Sequence, residues 1–278
     1  MKPQILIACL FFTYTCLAQS SFEGTIKYSM KMEVTDPVAK KRMEETQTKL
    51  NDPATQAKMK EMEKQMNDPQ FKAMMEANPQ MKAQMEKAMK MAQGGTMGSM
   101  MPSSFMVKLK GINSLTQMEG GVMGGMEILN LTEKNQSYSI DRSNKTFTVL
   151  QHQMAESSQT KPDVKVTKTN ETTRVLNYLC TKTIVEITQN GKTMKNYYWT
   201  TTEIKGLDLT SLSKQQVGRG NQSMFYKDIE GVPLKMEMTM PEGSMMMEVT
   251  EIKKESLSDS LFEVPADYKE VKGFTGKY

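Results

Sequence analysis

Histidine is almost missing from this chain: His152 is the only one in 278 residues. Sites that need two or more imidazole ligands are therefore excluded, and a nucleophile–base pair would rest on one residue in a loop. Cysteine is nearly as scarce. Cys9 and Cys16 fall in an apolar leader and Cys180 is the only other one, so without the leader no internal disulfide can form and the fold must rest on a hydrophobic core. A lone cysteine inside Leu179-Cys180-Thr181 reads as a small buried apolar residue. After the leader, no apolar run approaches the ~20 residues of a spanning helix. Charge of one sign is also lacking. The 36 Lys and Arg are interspersed with 32 Asp and Glu, a formal +4, which gives no footing for a nucleic-acid partner. Gly120, Gly121, Gly124 and Gly125 have no phosphate-binding lysine pattern and read as a turn. Paired carboxylates such as Glu44 and Glu45 fall on solvated helix faces. The sequence therefore points away from an enzyme and implies no cofactor and no metal site.

The leader itself has the form of an export signal. Lys2 opens it, Ile5 to Leu17 is apolar, and Cys16 and Ala18 are small residues at positions −3 and −1 of a cut before Gln19. Only eight residues precede the cysteine of Leu6-Ile7-Ala8-Cys9, too few for a lipoprotein box. Removing residues 1–18 lowers the charge to +3 and leaves a single expected domain, 19–278, in the periplasm or secreted.

What the chain does have is alternation. From Phe22 to Val34 every even position is apolar or glycine and every odd one is polar, the pattern of one long strand with a wet and a dry face. The same period returns in Phe105 to Leu109, Gln136 to Ile140, Lys145 to Leu150, Val164 to Lys168, Leu179 to Thr188, Thr193 to Thr200 and Leu234 to Met240. Asn190-Gly191 predicts a tight hairpin turn between two of these, and such close spacing predicts a mostly antiparallel sheet. Glu203 to Gln215 is a plausible short helix.

Between these strands, Val38 to Met101 reads as a helical insertion. Asn51-Asp52-Pro53, Asn67-Asp68-Pro69 and Asn78-Pro79 each set a capping side chain before a proline suited to a first helical turn. They predict helices near 39–50, 53–66, 69–77 and 79–92. Met59, Met62 and Met66, then Phe71, Met74 and Met75, then Met81, Met85 and Met89 form narrow apolar stripes. Helices this short are marginal alone, so the stripes must pack on each other, on the sheet, or on a partner helix.

A second methionine pattern lies near the C-terminus. Met236, Met238 and Met240 share one face of a strand, Pro241 to Ser244 reads as a four-residue turn, and Met245 and Met247 share one face of the return strand. A symmetric register would set Met240 opposite Met245 and Met238 opposite Met247. Three readings compete for these five side chains. They could be core packing, a surface for acyl chains or a lipidated protein, since methionine repacks around varied shapes, or a thioether site for Cu(I). No histidine or cysteine accompanies them. The helical stretch Asp68 to Met81 is similar to the Asn-Pro, methionine-rich repeats of co-chaperone and ubiquilin-type proteins, which would make the insertion a protein-interaction module.

Several further stretches carry a family likeness: Phe22 to Ile26, Leu176 to Thr183, Asn190-Gly191-Lys192 with Tyr198 to Ile204, Gly231 to Lys235, and Leu261 to Tyr268. In this order they resemble the domain of unknown function 4412, a family of exported proteins of Bacteroidetes-type bacteria. Its layout is similar to that of outer-membrane lipoprotein carriers. The resemblance implies a curved antiparallel half barrel around a hydrophobic face, and a binding role without catalytic residues. The expected protein is thus α+β, a curved, mostly antiparallel sheet with a methionine-rich helical insertion. It would bind or carry a hydrophobic ligand on Met236, Met238, Met240, Met245 and Met247.

Overall fold

The structure, a computed structural model, describes residues 21–77, 81, 85, 102–121, 124–150, 163–189, 191–207 and 229–271. The leader, His152 and Asn190 lie outside them, as does the fourth expected helix apart from Met81 and Met85, both helical.

The long alternating stretch forms β1 (Glu23–Val34), and three helices follow it: α1 (Pro37–Asn51), α2 (Pro53–Met66) and α3 (Pro69–Ala77). Each begins at a proline placed directly after an aspartate. Asp36 accepts from the Ala39 N–H at 2.7 Å, Asp52 from Thr55 at 3.1 Å, and Asp68 from Gln70 at 2.8 Å. These bonds satisfy N–H groups that the first helical turn leaves unpaired. The stripes are only partly covered. Met59 and Phe71 are half-buried, whereas Met62, Met74 and Met81 are exposed and Ala39 is the buried residue of α1.

The remaining strands are β2 (Ser104–Lys110), β3 (Asn113–Glu119), β4 (Glu127–Leu131), β5 (Gln136–Asp141), β6 (Thr146–Leu150), β7 (Asp163–Val175), β8 (Tyr178–Gln189), β9 (Lys192–Thr201), β10 (Val232–Met240), β11 (Gly243–Lys254) and β12 (Lys269–Glu270). All twelve join one open, curled sheet in the order β12-β6-β5-β4-β3-β2-β1-β11-β10-β9-β8-β7. Among the described residues every ladder is antiparallel except that of β12 with β6. The α+β half barrel expected from sequence is the observed architecture.

Three local readings change. β3 and β4 occupy stretches that alternation did not mark. Glu203 to Leu207 is bend and turn rather than helix, and the rest of that expected helix lies outside the described residues. The β10–β11 turn is shorter than expected: Met240 pairs with Gly243, leaving only Pro241 and Glu242 in it. Gly243 takes a strand position because it stands between Met240 and Val34, where a Cβ would run into the Glu33 carbonyl oxygen.

The main core lies on the face carrying Ile26, Tyr28 and Met30, called here the inner face. Tyr28 stacks on Phe105 with ring centroids 4.7 Å apart, and its hydroxyl donates to the Pro233 carbonyl at 3.2 Å. Burial pushes the Tyr28 phenol well above its ordinary pKa. A second, smaller core sits on the outer face of β3–β6. There Leu115, Leu129, Leu131 and Ile140 pack under Leu257 and Phe262, from the stretch around a 3-10 turn, Asp259–Phe262. Polar contacts clamp that cover: the Glu23 carboxylate accepts from the Leu257 N–H at 2.5 Å, and Lys110 donates to the Leu257 carbonyl and pairs with Asp259, both at 2.7 Å.

Candidate functional site

The register of β1, β11 and β10 brings methionines together across three neighbouring strands. Met30 pairs with Met247, which pairs with Met236; one rung along, Met32 pairs with Met245, which pairs with Met238. Paired side chains on adjacent strands share a face and stand about 5 Å apart. The result is two rows of three thioethers on the inner face, with half-buried Met240 beyond them.

This register differs from the symmetric one expected from sequence, since Met238 faces Met245 rather than Met247, and Met240 faces Gly243 rather than Met245. The two-residue turn moves the partners by two positions. A shift of two preserves the face, so all five named methionines remain on one side. Sequence reasoning left out Met30 and Met32, although the alternation of β1 already put both on its dry face.

The patch is packed. Met236 and Met247 are fully buried, Met245 is 3% exposed and Met238 9%, while Met246, on the opposite face, is exposed. At its β9 edge the rows end on Tyr198, opposite Met236, and Asn196, opposite Met238. Asn196 accepts from the Thr239 N–H at 3.0 Å. Cys180 belongs to the same core, and burial raises its thiol pKa. Among the described residues no group of three or more His, Cys, Asp or Glu could hold a metal ion.

The outer face behind the patch has a different chemistry. Trp199 lies between two lysines, with Lys235 Nζ 5.2 Å and Lys182 Nζ 5.7 Å from its ring centroids. Lys182 in turn pairs with Glu171 at 2.9 Å. This charged, aromatic ladder keeps the back of the sheet wet while the thioether side stays dry.

Fold and site together define an open antiparallel sheet with an apolar inner face rich in flexible side chains. Residues 88–268 match the domain of unknown function DUF4412, and the chain belongs to that family. The match takes in β2 to β11 and the C-terminal cover, whereas β1 and α1–α3 precede it. No curated protein matches the chain. No helix among the described residues is long and apolar enough to cross a membrane.

Proposed function

We propose that the protein is a non-enzymatic binding or carrier protein, exported to the periplasm or beyond, whose ligand is a lipid or the acylated segment of a protein. The observation that carries this reading is the double row of thioethers Met30-Met247-Met236 and Met32-Met245-Met238 on the inner face of a curled sheet. Leucine or isoleucine would fill a static core with better-defined rotamers. Methionine has more rotatable bonds and repacks around ligands of varied shape. The leader supports export, and the half-barrel layout is compatible with lipid carriage.

Protein secreted by its own leader and purified without detergent should release a bound lipid on organic extraction, seen by mass spectrometry. Absence of lipid, together with failure of added lipid to displace a neutral fluorescent probe, would remove this reading. The same preparation separates it from the Cu(I) alternative. Met238→Leu with Met247→Leu should leave lipid binding nearly intact, because the exchange almost conserves volume, whereas a thioether metal site would lose Cu(I) in competition with a strong chelator.

A further inference from the structure

β7 is one end of the sheet and pairs with β8 alone. Over residues 163–168 it runs in unbroken register with residues 188–183, and each of the six is exposed. After Lys168 the register shifts, so these six form the straight part of the edge. Alternate residues of an edge strand turn their N–H and C=O groups away from the sheet, where a further strand can take them up.

The side chains show what that strand must carry. Val166 stands opposite Val185 and Val164 opposite Ile187, two residues of the main core that are 0% and 2% exposed. The valines of β7 are 37% and 39% exposed, so the apolar inner layer reaches the last strand and ends uncovered. On the outer face the edge offers a cation. The Lys165 side chain is 73% exposed and lies 3.8 Å from Glu186, whose other oxygen is held by Lys195 at 2.8 Å. Lys195 is the main cause that keeps the Glu186 carboxyl below its ordinary pKa, which leaves Lys165 the more weakly paired of the two lysines. Lys168, also exposed, pairs with Glu230 at 2.8 Å.

A second copy fits this edge poorly. Its β7 would run antiparallel about a two-fold axis. Centring that pair on Lys165 sets the lysine against itself, and centring it on Val166 or Thr167 sets a valine against Lys168. Centring it on Val164 ends after three rungs, because Pro162 has no N–H to donate.

We infer that β7 takes an added antiparallel strand from a protein partner, apolar opposite Val164 and Val166 and acidic opposite Lys165. Main-chain hydrogen bonds to residues 163–168 give the affinity, and the alternation of apolar and acidic side chains gives the choice of partner. This edge is a surface separate from the thioether rows, so it stands or falls independently of a lipid ligand.

The test uses the full chain and fluorescein-labelled hexapeptides read by anisotropy. The acidic peptide, Glu-Thr-Val-Glu-Val-Thr, sets its valines opposite Val166 and Val164 and its glutamates opposite Lys168 and Lys165; the basic peptide has lysine for both glutamates. Wild-type protein should bind the acidic peptide at least about twofold more tightly, the scale of exposed ion pairs, and Lys165→Glu should reverse the preference. Methylating the peptide amides at alternate residues should abolish binding in one phase and spare it in the other, a signature of strand addition that leaves the protein unchanged. Failure of the acidic peptide to bind, equal affinity for the two peptides, an unaltered preference in Lys165→Glu, or the same response to both methylation phases overturns the proposal. So does slow hydrogen exchange at every amide of residues 163–168 without peptide. Independent of protein concentration, it marks another segment of this chain on the edge; dependent on concentration, it marks a second copy.

Discussion

Single residues set the character of each surface. Met236 and Met247 are enclosed in the main core, so Met236→Ala or Met247→Ala should lower unfolding free energy by about 2–5 kcal/mol in urea titrations, whereas Met238→Leu should cost less than about 1.5 kcal/mol. Glu23 illustrates a polar residue with a structural task. Its carboxyl is held below its ordinary value first by the hydrogen bond from the Leu257 N–H and then by Lys110. Because the folded pKa is the lower one, the ionised carboxylate favours the fold. That contribution is present above the unfolded pKa near 4.5 and is lost as pH falls through the folded value. Glu23→Gln should therefore flatten the acid limb of a stability-against-pH curve while weakening the C-terminal cover at neutral pH. Cys180, buried and with a raised pKa, should react slowly with a disulfide reagent in native protein and quickly in urea.

At the scale of elements, legibility in the sequence followed the contrast between a wet and a dry face. β1, β8, β9 and β10 were readable because one side of each is apolar and the other polar. β3 and β4 were not, because both of their faces are covered: Leu115 and Leu129 lie under the C-terminal segment while Thr116 and Asn130 are buried on the inside. Serine, threonine and asparagine on a buried face look like solvent-side residues when only the order of residues is known. The starts of α2 and α3 were legible for a local reason, an aspartate and a proline in adjacent positions, whereas the same pair at Asp36 and Pro37 starts α1 two residues before the expected position 39. The shortened β10–β11 turn was not, since Gly243 is demanded by the approach of β1, a contact across 210 positions of sequence. Gly243→Ala should break that approach and lower the melting temperature by well over the few degrees of an ordinary surface change. The helices should be separable. Replacing residues 38–101 by a flexible linker of about ten residues, long enough to lead from Asp36 back to Ser103 beside Met30, should leave the near-ultraviolet circular dichroism of the sheet intact. Loss of cooperative unfolding in that variant would show instead that the exposed methionine stripes serve the fold.

Across the whole molecule, the curled sheet divides its inner face into a thioether region on β1, β11 and β10 and a hydroxyl and amide region on β3 to β5, with β2 between them. The first was foreseeable from alternating methionines. The second depended on strand order, which places β3 two strands from β1 and turns Thr116 toward the same interior. The most direct measurement follows the methionine methyl groups themselves. In protein labelled with ¹³C at the methionine methyls, methyl 16-doxylstearate should broaden the signals of Met30, Met236, Met238, Met245 and Met247 while sparing Met246 and the helical Met62 and Met74. Broadening confined to Met246, Met62 and Met74, with the inner-face methyls unchanged, would show that chains adsorb outside and that the thioether rows are a closed core.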